Sequence, residues 1–245
     1  AGWRWHIALQ HRVGCGLVYS SRHMSDDEAR DKLLRDAAAP VIREPWPVQF
    51  RTGRRLKAWN KNVVSLGLAS GFIEPLESTS LHLSMTSIVR LIESFPLDGI
   101  PQSLVDVYNA TGRAEMEHVR DFIILHYHAN QRDEAMWKQC REMEVPDSLK
   151  IRLRAWRERA HAWQGANELF RVDSWTHVML GQGIVPEQHH PLSGGLSDDD
   201  MRRLLPAIRK PIDEAVARMP SQQEFIDRNC KAAPEVWAAR PKVPA

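Results

Sequence analysis

The residues best suited to chemistry lie between Asn62 and Leu83, in the stretch NVVSLGLASGFIEPLESTSLHL. Glycines at positions 67 and 71 leave room at a turn, and an acid followed by three hydroxyl residues, Glu77–Ser80, comes just before an apolar run at helical spacing. A strand, a glycine turn and a helix start in succession favour backbone amides that hold an anionic or electron-rich ligand. Glu77 could act there as a base, or it could simply complement the positive end of the helix.

Two tryptophans near the start of the chain form a second candidate feature. Trp3 and Trp5 alternate with polar residues in GWRWHIALQ, which is the periodicity of a strand. Because alternate residues of a strand point to the same face, both rings can line one wall. The same pattern also fits an aromatic stripe in the core.

The elements that must position these residues belong to a predicted α/β first part. The pattern predicts two paired strands, a helix with Ser25 as its cap, two short strands, a buried strand of a parallel or mixed sheet, and a helix carrying Glu77 and Ser78 on its first turn. Their ranges, in chain order, are Gly2–Gln10, Val13–Ser21, Ser25–Ala38, two within Val48–Trp59, Val63–Leu68 and Leu76–Phe95.

After Pro96 the pattern becomes helical throughout, with one apolar segment, DFIILHYH, that must be buried. Predicted helices or helical segments are Ser103–Asn130, Ala135–Met143, Pro146–Trp163, Ala166–Leu180 and Leu196–Met219, the last holding one or two helices around its two prolines. We therefore predict an α/β region over residues 1–95 and an all-α region over residues 96–245.

Composition excludes several classes of protein. The 245 residues are 43% hydrophobic, with 33 Lys plus Arg against 31 Asp plus Glu, a balance that argues against a nucleic-acid binder. No apolar run reaches membrane-spanning length and no signal peptide is recognisable, so a cytoplasmic location is expected. Three cysteines without paired spacing indicate neither a disulfide framework nor a zinc site. The histidines lack carboxylate or cysteine partners at ligand spacing, so no metal site is predicted.

Four segments carry a resemblance to a known family. GWRWHI, GFIEPLESTS, DFIILHY and SWTHVMLGQGI resemble, in matching order, the C-terminal half of the flavin-dependent tryptophan halogenases. The resemblance covers essentially the whole chain. It implies the C-terminal part of a flavin-monooxygenase-like FAD fold, followed by a helical substrate region. The family's GxGxxG fingerprint and its essential lysine are not found in these residues, so we expect the chain to be incomplete and inactive alone, without tight FAD binding.

The resemblance also implies a reaction and assigns residues to it. Reduced FAD, supplied by a separate flavin reductase, would react with oxygen and chloride or bromide to give hypohalous acid, which halogenates an electron-rich aromatic such as an indole. Glu77 matches the family's catalytic acid, and the backbone amides of Thr79 and Ser80 match its halide site. Residues that correspond to backbone along the isoalloxazine ring are Gly67, Leu68, Gly71 and Leu81.

Further roles concern the substrate. Trp3 and Trp5 match the pair that separates flavin from substrate in the family. Candidate pocket residues are Ser78, Trp175 and His177. The loop Gly181–Gly195 has no tyrosine, whereas members that bind free tryptophan hold it with a tyrosine-rich segment. This favours a simpler indole, or a larger substrate, over free tryptophan.

Two other functions remain open from the sequence. A flavin-dependent aromatic hydroxylase would need neither the halide site nor the role of Glu77. A non-catalytic helical interaction module would follow if the chain is naturally this short.

Overall fold

A computed structural model describes residues 1–37 and 40–233, and within them the chain is mixed α/β and mostly helical. The strands are β1 Gly2–Ala8, β2 Val13–Tyr19, β3 Gly53–Arg54, β4 Trp59–Asn60, β5 Val63–Val64 and β6 Gly71–Phe72. The helices are α1 Asp26–Arg35, α2 Ser80–Glu93, α3 Gln102–His128, α4 Ala135–Glu142, α5 Asp147–Arg159, α6 Val172–Gly181, α7 Asp198–Arg218 and α8 Gln222–Asn229.

The predicted hairpin at the start of the chain is confirmed. Strands β1 and β2 pair antiparallel in a regular register that places Trp3 opposite Val18 and Trp5 opposite Gly16. The next element, α1, is also confirmed: the Ser25 side chain accepts from the amide of Glu28, and the Glu28 carboxylate accepts from the amide of Ser25. The predicted end of this helix at residue 38 lies outside the described residues.

The predicted buried strand over Val63–Leu68 is wrong. Only Val63 and Val64 form a strand, and they pair antiparallel with β4 in a separate two-stranded ladder. Val63 is 63% exposed and Leu68 is 70% exposed. In the described chain the strands form three such antiparallel ladders, β1 with β2, β3 with β6 and β4 with β5. The apolar run is therefore only partly covered, since Val64 packs beside Trp59 whereas Val63 and Leu68 face outward, and it does not form the interior of a parallel or mixed sheet.

The predicted helix from Leu76 to Phe95 begins four residues late. Pro75–Glu77 forms a single 3-10 turn, Ser78 follows in the left-handed region at φ 54°, and α2 starts only at Ser80. Glu77 and Ser78 therefore do not lie on the first turn of α2, as the sequence pattern predicted. A left-handed residue cannot continue a right-handed helix, and this separates the turn from α2.

Helix α3 organises the rest of the molecule. Its C-terminal half supplies the buried residues Phe122 and Leu125, which pack with α5 and α6 in the main hydrophobic core. Its N-terminal half supplies Val105 and Tyr108, which pack against Trp59 of β4. The predicted burial of the DFIILHYH segment is thus confirmed, and α3 contributes to both regions on either side of residue 95. The division into two domains stays a prediction.

The remaining predicted helices are present, but α5 ends four residues before Trp163, α6 begins six residues after Ala166, and α8 was not predicted. Helix α7 is a single helix that continues through Pro206 and Pro211. Residues 234–245 of the predicted all-α region lie outside the described residues. Across residues 1–37 and 40–233, none of the helices combines the length and the apolar character needed to cross a bilayer.

Candidate functional site

The turn before α2 places a carboxylate beside a histidine of α3. The Nε2 atom of His126 lies 3.0 Å from Oε1 of Glu77, and both side chains are partly buried. The Nδ1 atom of His126 lies 2.8 Å from the carbonyl oxygen of Phe122 one helical turn earlier. That carbonyl can only accept, so Nδ1 carries a proton, and Nε2 faces Glu77. The spacing alone did not predict this pair.

The ion pair affects the protonation of His126. Burial lowers the pKa of the imidazole, but the hydrogen bond to Glu77, the bond to the Phe122 carbonyl and the charges of Glu77 and Glu74 outweigh it. The pKa of His126 is therefore raised above its ordinary value. The ion pair with His126 fixes the position of one carboxylate oxygen of Glu77.

The pair should make stability depend on pH. Because the pKa of His126 is higher in the folded state, its contribution is complete below the ordinary histidine pKa of about 6.5 and is lost as pH rises through the folded value. We expect His126→Gln to lower the free energy of unfolding by about 1.5–3 kcal/mol near pH 5.5, and by less near pH 9. Urea unfolding at the two pH values measures this.

His82→Gln is the matched control for this prediction. The Nε2 atom of His82 is 3.9 Å from Oε1 of Glu115 and its side chain is more exposed than that of His126, so its loss should be smaller. Equal losses for His126→Gln at both pH values would contradict a charged pair.

Trp3 is anchored to the body of the molecule through its single indole N–H, which is shared between two acceptors. Its Nε1 donates to Oε1 of Glu74 at 2.5 Å and to the hydroxyl of Tyr127 at 2.8 Å. The Tyr127 hydroxyl in turn donates to Oε1 of Glu74 at 3.0 Å. Burial raises the pKa of the Tyr127 phenol, and the nearby Glu74 carboxylate raises it further. The indole of Trp3 is therefore held against the turn that carries Glu77.

Trp5 lies on the same face of β1, over a glycine. The ring centroids of Trp3 and Trp5 are 5.9 Å apart and the rings are tilted by 59°. A Cβ atom at Gly16 of β2 would lie 1.7 Å from Cζ2 of Trp5, so only glycine fits beneath this ring. The two rings thus lie side by side on one face of β1, and their role as a wall between two sites stays a prediction.

The N-terminus of α2 presents backbone donors. Thr79 precedes the helix, is 4% exposed and makes no side-chain capping bond, and the first turn contains no acidic residue. The helical ladder begins with the amide of Leu83, which donates to the carbonyl of Thr79. The amides of Thr79 and Ser80 belong to the set that a helix leaves without an intrahelical partner, and they lie at the positive end of its dipole.

Three of the four residues predicted to lie along a flavin present an open surface. Gly67 begins a 3-10 turn at φ 56°, and its neighbour Leu68 is 70% exposed. Leu81, on the adjoining first turn of α2, is 72% exposed. Two exposed apolar side chains beside a glycine turn fit the face of a planar isoalloxazine ring.

Gly71 has a different environment. A Cβ atom there would lie 2.7 Å from Cε of Met116 and 2.9 Å from the carbonyl oxygen of Gly53. The packing of β6 against β3 and α3 therefore requires this glycine. Its role toward a flavin stays a prediction.

A cavity of about 490 Å³ opens beside Trp3. Its walls include three aromatic side chains, those of Trp3, Tyr127 and Trp137, together with Leu76 and His126. The rings of Tyr127 and Trp137 lie 5.4 Å apart. Its volume and aromatic lining are those of a small-molecule site.

The three predicted pocket residues do not line this cavity. Trp175 is 2% exposed and packs in the main core against Phe122, and His177, two residues further along α6, is exposed. Residues two apart on a helix point to nearly opposite sides, so these two cannot line one pocket together. Ser78 is exposed at the turn. We leave Trp175 and His177 out of the proposed site.

The sequence analysis missed three residues of this site, Glu74, His126 and Tyr127. All three lie in segments that it had singled out, GFIEPLESTS and DFIILHY. The available signal was the pair of polar aromatic residues, His126 and Tyr127, in an otherwise apolar buried segment. Such a pair in a core needs polar partners, and the two glutamates of the turn supply them.

Comparisons with known proteins identify the family of the chain. A model of the tryptophan halogenase family matches residues 1–198, and the chain therefore belongs to that family. It is 31% identical over 232 residues to tryptophan 6-halogenase SttH from Streptomyces toxytricini, covering 92% of this chain and 44% of SttH. It is 37% identical over 246 residues to tryptophan 6-halogenase ThaL from Streptomyces albogriseolus, covering 92% of this chain and 46% of ThaL. The chain spans a little less than half the length of these relatives.

Solved structures show the same likeness. Xcc4156, a flavin-dependent halogenase from Xanthomonas campestris, superposes with a TM-score of 0.92 at 44% identity, covering 95% of this chain and 47% of Xcc4156. BrvH, a flavin-dependent halogenase from Brevundimonas sp. BAL3, gives a TM-score of 0.88 at 42% identity, covering 93% of this chain and 46% of BrvH.

Proposed function

We propose that these residues form the halide and substrate side of a flavin-dependent halogenase that acts on an electron-rich aromatic, most simply an indole. The observation that carries the proposal is the Glu77–His126 ion pair directly before the uncapped N-terminus of α2. A carboxylate and a set of free amide donors then lie within four residues of each other. Membership of the tryptophan halogenase family supports the same reading.

Each part of the turn has its own role in this proposal. The amides of Thr79 and Ser80 bind chloride or bromide, because backbone N–H groups at the positive end of a helix can hold an anion without a cationic side chain. The oxygen of Glu77 not bound to His126 faces the substrate, where it stabilises the cationic ring intermediate and takes the proton from the attacked carbon. His126 is a positioning residue that orients the carboxylate.

The cofactor of the proposed reaction is FAD. Bound reduced FAD, supplied by a separate flavin reductase, would provide with oxygen the oxidising power that converts a halide into an electrophile. Leu68, Leu81 and the turn at Gly67 would contact one face of its ring system. Trp3 and Trp5 would form the wall between the flavin side and the substrate side.

The cavity beside Trp3 supports an aromatic substrate. Its three aromatic walls suit a flat ring. Its polar lining includes His126 and Tyr127 together with charged and amide side chains, those of Arg4, Lys32, Asp36, Asn130, Arg132 and Gln182. The loop Gly181–Gly195 lacks the tyrosines that would hold the charged groups of free tryptophan, so a simpler or larger indole is favoured.

One assay tests the reaction class. The full-length natural protein is incubated with FAD, a flavin reductase, oxygen, bromide and indole, and the product is examined by mass spectrometry. We expect a product with the isotope pattern of bromine. A hydroxylated product that forms equally without bromide would reject the proposal in favour of an aromatic hydroxylase.

A further inference from the structure

We propose that Glu74 is a positioning residue that holds the ring of Trp3 and the turn carrying Glu77 in one fixed arrangement. This inference rests on the proposed function, because it concerns the wall and the carboxylate of that same site. The sequence pattern gave no role to Glu74, which stands three residues before the motif acid.

The carboxylate of Glu74 joins three separate parts of the fold. Its Oε1 accepts from Nε1 of Trp3 on β1 and from the hydroxyl of Tyr127 on α3. Its Oε2 accepts from the amide of Leu76 at 3.2 Å, within its own turn. Trp3 and Tyr127 are also hydrogen-bonded to each other. We call these three side chains, Trp3, Glu74 and Tyr127, the clasp.

These contacts exceed what a helix cap requires. A cap needs one acceptor oxygen for a backbone amide, and Oε2 alone does that for the turn. The other oxygen, Oε1, accepts from Trp3 and Tyr127, which are 71 and 53 positions away in the chain. Both oxygens of Glu74 act as acceptors in these contacts.

Glutamine cannot replace this group, although it has the same shape. Its side chain offers one acceptor oxygen and one NH₂ group. If the oxygen faces Trp3 and Tyr127, the NH₂ group meets the Leu76 amide, which is also a donor. If the side-chain amide of the glutamine is turned the other way, its NH₂ group faces the indole N–H of Trp3, and both are donors. The first orientation keeps the clasp but loses the bond to the Leu76 amide of the turn, and the second loses the bond from Trp3, so glutamine cannot keep all the contacts of Glu74.

The clasp therefore sets two positions at once. It fixes the rotation of the Trp3 ring, which forms a wall of the cavity, and it fixes the turn from which Glu77 extends toward His126. Since a displacement of about 1 Å can cost about 10²-fold in rate, a residue that touches no reactant can still control the reaction.

The test measures the Trp3 indole directly. In protein labelled with ¹⁵N-tryptophan, the indole N–H signal of Trp3 is identified by its disappearance in Trp3→Phe. We expect Glu74→Gln to shift this signal and to speed its exchange with solvent, while the signal of Trp59, whose indole donates to the Lys61 carbonyl away from the clasp, stays in place. Tyr127→Phe, which removes one hydroxyl and keeps the ring, should shift the same signal by a smaller amount. Its milder change covers the case in which Glu74→Gln does not fold.

Glu117→Gln is the control, because Glu117 lies on α3 and pairs with Arg54 at 2.9 Å on a partly exposed surface. A Trp3 signal unchanged in both Glu74→Gln and Tyr127→Phe would overturn the inference, whatever the protein catalyses.

In the halogenation assay with the full-length natural protein, Glu74→Gln should lower kcat by about 10–100-fold with little change in KM. An unchanged kcat alongside normal activity of the unsubstituted protein would likewise overturn it. If the unsubstituted protein fails to halogenate but the Trp3 signal moves as expected, the proposed function fails while the positioning role stands.

Discussion

Glu77→Gln is expected to lower the rate of halogenation by about 10²–10⁴-fold, the contribution typical of a positioned general base. Glutamine keeps the length of the side chain and its carbonyl oxygen can still accept from His126, but it cannot take a proton from the substrate. The rate is measured as brominated indole formed by the full-length natural protein with excess reductase and FAD. KM for indole should change little, because the interaction is made mainly in the transition state.

The control for this substitution is again Glu117→Gln, a carboxylate of α3 that pairs with Arg54 outside the site. It should leave the rate unchanged. If Glu77→Gln halogenates at the normal rate, Glu77 has no catalytic role, although the chain remains a member of the tryptophan halogenase family.

The largest expected effect on stability comes from the helical region. Arg152 of α5 and Glu168 are both buried and form an ion pair. The guanidinium group of Arg152 also lies over the rings of Trp163 and Trp175, at 4.6 and 4.5 Å, and donates to the carbonyl of Trp163. Glu168→Ala should lower the free energy of unfolding by about 3–5 kcal/mol, because it leaves a buried charge without its partner. Urea unfolding measures the loss.

Two further variants separate the charge effect from a general loss of packing. Arg154→Ala removes an exposed pair with Glu158 on the same helix and should cost less than about 1 kcal/mol. The double variant Arg152→Met with Glu168→Leu removes both charges and should be more stable than Glu168→Ala. A double variant at least as unstable as Glu168→Ala would contradict this account.

The sequence predicted those elements whose signals are local. The hairpin, the capped helix α1 and the long buried α3 each follow from periodicity and capping residues within their own segment. The prediction of a buried strand over Val63–Leu68 was wrong because an apolar run does not show whether other parts of the chain pack over its side chains. The helix start was placed too early because nothing in the letters P-L-E-S indicates that Ser78 adopts a left-handed conformation.

The site shows the same limit. Glu77 was recognised from its motif, but its partner His126 is 49 residues away in the chain, and the partners of Glu74 are farther still. Contacts at such separations depend on how α3 crosses the turn, which single-sequence patterns do not specify. The residues that position a reacting group are therefore harder to read from a sequence than the reacting group itself.

The left-handed conformation of Ser78 has a consequence for the halide. If Ser78 took ordinary helical angles, the 3-10 turn and α2 would merge, and the amides of Thr79 and Ser80 would donate to the carbonyls of Pro75 and Leu76. No donor would then remain for an anion at that point. The left-handed conformation of Ser78 costs about 1–2 kcal/mol. It leaves the amides of Thr79 and Ser80 without an intrahelical acceptor, at the place where the proposed reaction needs donors for a halide.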